Sequence, residues 1–383
     1  MKIVIAMDSF KGSLSSAEAA AAVREGILAS GTEAEIVIKP LADGGEGTAA
    51  AFVEGMGAEE IKLTVTGPLG TPINSSYAVL REQNTAVIET ASAIGLTHIP
   101  ETLRNPLHTT SMGAGELIRD ALDRGLRKFI VGIGGSGTND GGIGMLKALG
   151  FSFQDKKGQE IAGFGQDVGK IEQIDSSKAD PRLSECTFQI ACDVNNPLCG
   201  RTGASAVFGP QKGATEEIVE ELDLALLHFS NLAKKLTGKD TADLPGSGAA
   251  GGLGYAFRTF LNGALEPGIS IIMEAVELEE ELRGADIVIT GEGRLDGQTA
   301  MGKAPVGVAR LAAEYGCQVI AFAGAVTPEA RLCLEQGIDA YFPIVRGPGS
   351  VEEAMEKERA GKNMRDTAEQ VFRLINSTVR TKK

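Results

Sequence analysis

Short apolar runs rich in β-branched residues, each ending in a polar loop and followed by a helix-forming stretch, constrain this chain more than any other feature. The first is KIVIAM at residues 2–7, and EAEIVIKPLADGG follows about 30 residues later. Runs of this length without polar alternation mark strands covered on both faces by helices, hence a parallel sheet. The intervening segment reads as a helix: Ser15-x-x-Glu18 forms a capping box, AEAAAAVREGIL carries strong helix formers, and Gly31 stands at the expected stop. The same style returns in the last third, where ADIVITGEG and QVIAFAGAV flank the helical stretch PVGVARLAAEYG and DAYFPIV reads as a further strand.

The middle of the chain is different. Between Ile61 and His98, KLTVTGPLG, SSYAVLRE and TAVIETAS are short alternating segments separated by Gly-Pro and Asn turns, the pattern of an antiparallel meander. Two strands, KFIVGIGG (128–135) and TFQIACDV (187–194), a long helix EEIVEELDLALLHFSNLAKKL and the Gly-rich GSGAAGGLG complete it. This predicts an α/β protein of two domains, one discontinuous (residues 1–60 plus 285–383) with the other (61–284) inserted into it. A chain of 383 residues, 43% hydrophobic, is long enough for two cores.

Charge and composition exclude several functions. A net charge of −14 disfavours polyanionic partners such as nucleic acid or an anionic membrane surface, and 5% aromatics with no Trp offer little stacking surface. The opening MKIVIAMDSF reaches an acid by Asp8, unlike a secretory signal, and no apolar run approaches membrane-spanning length, so a cytoplasmic protein is expected. Five cysteines without CxxC spacing are read as reduced thiols, with Cys192 a small core residue, and three scattered histidines give no support for a His-based metal site or triad.

Ligands of open α/β sheets collect at the carboxyl ends of strands, where loops and helix N-termini converge. Four such loops end in carboxylates: Asp8 to Ser13 after KIVIAM, Ala42-Asp43-Gly44-Gly45-Glu46-Gly47-Thr48 after IVIKPL, Asp193 to Asn196 after FQIAC, and Gly291 to Gly297 after DIVIT. Turn formation alone explains any one of them, but together they offer what phosphoryl transfer to a hydroxyl needs: carboxylates for Mg²⁺, a proton acceptor, cations, and backbone N–H groups around phosphate.

Two motifs come close to known nucleotide signatures. Gly132-x-Gly134-x-x-Gly137 matches the dinucleotide fingerprint, with Asp155 near the position of a ribose-binding acid, but Thr138-Asn139-Asp140-Gly141-Gly142 prolongs the loop with poor helix formers. A loop cradling phosphate or substrate is the better reading. Gly297-x-x-x-x-Gly302-Lys303 lacks the Ser or Thr of a P-loop, since Ala304 follows, yet Lys303 beside Pro305 sets a cation at a helix N-terminus. Lys11, close to Asp8 in an acidic protein, suits a substrate carboxylate or phosphate.

Taken together, DSFKGSLS (8–15), LADGGEGT (41–48), GIGGSGTNDGG (132–142), ACDVNNPL (191–198), FGPQKGA (208–214) and TGEGRLD (290–296) resemble the type-1 glycerate kinase family, in the family's order. The departures are Met7 for a Pro, Gly137 for an Ala and Asn195 for a Thr, none of which removes a charged group. The resemblance implies a flavodoxin-like domain with a Rossmann-like parallel sheet, a second mixed α/β domain resembling the restriction-endonuclease fold, and an active site in the cleft between them. It further implies transfer of the ATP γ-phosphoryl group to D-glycerate, at the 2-hydroxyl in bacterial members. A 3-phosphoglycerate-forming enzyme or a kinase of a related hydroxy acid is the alternative.

The resulting assignment has Asp193, Glu292 and Asp296 holding Mg²⁺ or orienting phosphates and Asp8 or Asp43 accepting the hydroxyl proton. Lys11, Arg294 and Lys303 are the cations for carboxylate and phosphoryl group, and the nucleotide is expected against Gly134, Gly135, Ser136, Asn139 and Asp140 together with Glu292, Arg294 and Lys303. The rival readings are a nicotinamide oxidoreductase built on Gly132 to Gly137 and a metabolite sensor without catalysis.

Overall fold

The computed structural model describes residues 1–42, 44–45 and 47–380, with side chains through residue 377. In chain order its strands are β1 (Lys2–Met7), β2 (Glu35–Pro40), β3 (Glu59–Thr66), β4 (Pro72–Leu80), β5 (Thr85–Glu89), β6 (Lys128–Gly132), β7 (Ser152–Gln154), β8 (Gln173–Asp175), β9 (Thr187–Ala191), β10 (Ala264–Glu266), β11 (Ile287–Leu295), β12 (Gln318–Val326) and β13 (Ala340–Pro343). They form an α/β structure of two compact units, one of Met1–Asp43, Ala50–Gly57 and Ile269–Lys383, the other of Gly44–Ala49 and Ala58–Gly268.

The first unit holds a five-stranded, all-parallel sheet ordered β13-β12-β11-β1-β2. Counting only its own strands, this is the doubly wound order 2-1-3-4-5, whose topological switch point lies between β1 and β11. Ile3 to Met7 are completely buried, as the unbroken apolar run requires. The helix Ser16–Ala29 begins with the anticipated capping box: Glu18 N donates to Ser15 Oγ at 3.3 Å and Ser15 N to Glu18 Oε2 at 3.0 Å. The helix Lys357–Arg380 packs against it, and this element was not anticipated. Its buried residues Ala360, Met364, Ala368, Val371 and Phe372 recur at helical spacing within a heavily charged sequence, which hides the apolar stripe.

The second unit contains a mixed sheet ordered β10-β9-β6-β5-β4-β3, and a small hairpin, β7-β8. Strands β3, β4 and β5 are the antiparallel meander read from the alternation, while β5, β6, β9 and β10 run parallel. Strand β6 stops at Gly132, three residues short of the run read as strand. Beyond it the chain enters a loop in which Gly135 takes a left-handed φ of 73°. Each unit has its own apolar core, the second lined by a cluster of rings including Phe153, Phe229, Tyr255 and Phe260.

Candidate functional site

The candidate residues gather at carboxyl ends of parallel strands, in one group per unit. In the first unit the group sits at the switch point. Asp8 follows β1, is 5% exposed, and its main-chain N–H donates to Gly291 O at 2.9 Å, tying the end of β1 to the middle of β11. Its Oδ1 accepts from Ser9 N at 2.6 Å. Lys11 is exposed in the same loop, and a Cβ on Gly293 would lie 3.7 Å from the Lys11 nitrogen, so the loop passes directly over the end of β11. Asp43 lies outside the described residues.

Strand β11 carries the other acid and base candidates. Glu292 is buried and accepts from the Thr299 hydroxyl. Arg294 is exposed, with its Nε 3.6 Å from Asp296 Oδ2. Asp296 is the N-cap of the short helix Gly297–Ala300, its Oδ1 accepting from Gln298 N at 2.8 Å and Thr299 N at 3.2 Å. That carboxylate therefore acts on its own loop. Lys303 is the residue before the helix Ala304–Glu314, whose second position is Pro305, so a half-exposed ammonium does stand at a helix N-terminus.

In the second unit the loop Ile133–Gly142 follows β6. The short helix Ile143–Ala148 begins only after Gly142, so the glycines do not open a helix as a dinucleotide fingerprint would, and that reading lacks its structural context. Gly134 is exposed, whereas Ser136, Asn139 and Asp140 are buried. The Asp140 carboxylate accepts from Ser111 N and Oγ, both at 2.7 Å, from Gly142 N at 3.0 Å and from Gly144 N at 3.2 Å. Complete burial raises its pKa despite these donors. Asp140 therefore fixes the shape of the loop, and what the loop can offer a ligand is main chain and hydroxyl.

Asp193 follows β9, is exposed, and accepts from Gly268 N at 3.0 Å. Gly44 lies against this strand end: a Cβ there would come within 2.5 Å of Ala191 Cβ, and one on Gly132 within 2.2 Å of Gly44 O. Glu89 at the end of β5 accepts from Gly47 N at 3.2 Å and Ala49 N at 2.6 Å. Gly44, Gly47 and Ala49 are thus held at the ends of β5, β6 and β9 by the Glu89 carboxylate and by close approaches at Gly44 and Gly132 that leave no room for a larger residue.

Among the described residues no three His, Cys, Asp or Glu side chains form a group able to hold a metal ion. Asp193 lies in the second unit, Glu292 and Asp296 in the first. Single hard-oxygen donors such as Asp193 and Glu292 still suit Mg²⁺, which keeps several waters and is commonly held by one or two carboxylates plus substrate phosphates. The cysteines are free thiols, and burial raises the pKa of Cys192, which makes it a poor nucleophile.

Sequence reasoning missed two residues here. Glu89 anchors the LADGGEGT loop, and Lys212, from the quoted FGPQKGA motif, is a buried lysine beneath the Ser136–Asn139 loop. The position of Lys212 between two glycine-bearing turns was the signal available.

The geometry can be set beside known proteins. A family model described as "Glycerate kinase family" matches residues 3–376. The chain is 45% identical to a glycerate kinase of Haemophilus influenzae, over 98% of this chain and 99% of that one. It is 47% identical to a glycerate 2-kinase of Escherichia coli, over 92% and 93%. The crystal structure of a protein provisionally called glycerate kinase 2, from Salmonella typhimurium LT2, superposes with a TM-score of 0.92 at 46% identity, covering 99% of both chains.

Proposed function

The chain belongs to the glycerate kinase family, and from that premise we propose that it transfers the γ-phosphoryl group of ATP to the 2-hydroxyl of D-glycerate, giving 2-phosphoglycerate and ADP. The observation that carries this reading is the clustering of carboxylates, cations and glycine-rich loops at the carboxyl ends of parallel strands in each unit, within a chain that matches glycerate kinases almost end to end.

In phosphoryl transfer the protein mainly positions the reactants and stabilises charge. Asp8, or Asp43 of the LADGGEGT loop, takes the proton of the attacking hydroxyl as its oxygen bonds to the γ-phosphorus and the bond to the β-phosphate oxygen breaks. Lys11 and Arg294, exposed on neighbouring strand ends, balance the carboxylate of glycerate and the charge on the transferring group. Lys303, at its helix N-terminus, holds phosphate oxygens, and the main chain at the exposed Gly134 and Gly135 of the Gly134 to Gly142 loop supplies N–H donors. Mg²⁺, held by Asp193 or Glu292 with the nucleotide phosphates, would neutralise part of the polyphosphate charge. Asp296 orients Thr299 and, through it, Glu292.

The strand order of the first unit supports a flavodoxin-like domain, and the mixed sheet of the second a domain of the restriction-endonuclease type. A cytoplasmic location agrees with the acidic composition, and no helix among the described residues is long and apolar enough to cross a membrane. The test is ADP release from ATP and Mg²⁺ with D-glycerate, glycolate or L-lactate as acceptor. Turnover with D-glycerate at a kcat/KM well above the others supports the proposal; equal or absent turnover contradicts it.

A further inference from the structure

Lys212 ends the 3₁₀ turn Pro210–Lys212, and Gly213, at a φ of 89°, closes the turn against the main chain of Arg104, where a Cβ would meet the Arg104 carbonyl at 2.1 Å. The turn drives the lysine side chain under the Ser136–Asn139 loop, leaving it 3% exposed. Its Nζ donates to Thr138 O at 2.6 Å and to Ser136 Oγ at 3.2 Å. An ammonium has three donors, and both acceptors here are neutral. Among the described residues no carboxylate pairs with it, although buried charges are ordinarily paired because leaving them unpaired is costly.

The loop above it carries unpartnered polar atoms of its own, of which the Thr138 hydroxyl is the donor. The hydroxyl of Thr138 and Oδ1 of Asn139 are buried without a hydrogen-bond partner. Because Ser136 Oγ accepts from the ammonium, its own proton points elsewhere and is available to an acceptor. The trans peptide that turns Thr138 O toward Lys212 turns the Asn139 N–H away from it. A buried cation thus backs a loop that carries an unpartnered hydroxyl on Thr138 and, at Asn139, an N–H directed away from the cation.

We propose that Lys212 is a positioning residue of an anion subsite on the Ser136–Asn139 loop, where a carboxylate or phosphoryl oxygen accepts hydrogen bonds from the loop and the ammonium behind it supplies the balancing charge. The anion's identity rests on the kinase reading: it is the carboxylate of glycerate or a phosphate of ATP. Burial brings the Lys212 pKa down to about 8, against a partial upward pull from Asp140. The charged side chains on the adjoining segments are Asp140, on the same loop, and Arg104, beside Gly213.

The experiment follows KM for each substrate from pH 7 to 9.5 in the wild type and in Lys212→Gln, which keeps a donor but no charge, alongside thermal protection by inorganic phosphate. In the wild type, KM for one substrate should rise several-fold above pH 8. In Lys212→Gln that KM should be tenfold or more higher at pH 7 with kcat nearly unchanged, and the rise above pH 8 should disappear, which assigns it to the lysine rather than to Asp140. A change confined to glycerate identifies the carboxylate as the anion; one confined to ATP identifies phosphate. Phosphate protection should weaken with rising pH in the wild type and be lost in the variant. If the wild type does not turn over glycerate but shows this protection, the kinase reading falls and the subsite stands. If glycerate is phosphorylated and the wild-type profile is flat, or Lys212→Gln matches it, the subsite is overturned.

Discussion

Three charged residues in the candidate site show how burial separates their roles. Lys11 is exposed at the switch point, where losing a substrate contact costs binding rather than fold. Replacing it by Ala should lower turnover or raise the glycerate KM tenfold or more, equivalent to about 1.4 kcal/mol, while stability stays within about 0.5 kcal/mol. Wild-type kinetics would remove Lys11 from the site. Asp140 is the opposite case, since its carboxylate serves four donors of its own loop and neighbouring helices. Its place in the TNDGG motif was legible, but its inward orientation was not, because one sequence does not say which side of a loop faces the core.

Lys212 also yields a stability prediction of definite sign. Its folded pKa is about 8 against 10.5 when solvated, so between those values the unfolded chain binds more protons. The penalty for burying the charge is fully present below pH 8 and fades as pH rises toward 10.5. Urea denaturation of the wild type and Lys212→Gln at pH 7 and pH 9.5 should show the wild type gaining stability relative to the variant at the higher pH. A constant difference would mean that the lysine is not desolvated as described.

At the scale of elements, the strands of the first unit and the helix Ser16–Ala29 were readable because local signals agree: unbroken apolar runs, a capping box, a glycine stop. The helix Lys357–Arg380 was not, since its apolar stripe is diluted by charge and its partner is about 340 residues away in sequence, as Gly26 against Arg365 shows. That pairing makes Gly26 a contact point. In a solvated helix Gly→Ala gains roughly 0.5–1 kcal/mol. Here the new Cβ would fall 2.3 Å from Arg365 O and 2.9 Å from Glu369 N. Gly26→Ala should therefore destabilise the protein by about 1–3 kcal/mol, read as a lower urea midpoint; an unchanged or higher midpoint would contradict the helix pairing.

For the whole molecule, the α/β class and the strand-end loops could be read from pattern alone, because a buried parallel strand and its ligand-facing loop contrast sharply in polarity. What pattern could not supply was the long-range packing that brings Glu89 to the LADGGEGT loop or Lys212 beneath Ser136. Both depend on residues more than 35 positions apart.

Proton-coupled phosphorus NMR of the product formed from ATP, Mg²⁺ and D-glycerate shows whether the phosphate has gone to the 2-hydroxyl. Phosphate on C2 couples to one proton, so a doublet is expected. A triplet, from phosphate on the C3 methylene, would contradict the regiochemistry, and the absence of any new phosphate ester with folded protein would contradict the activity itself.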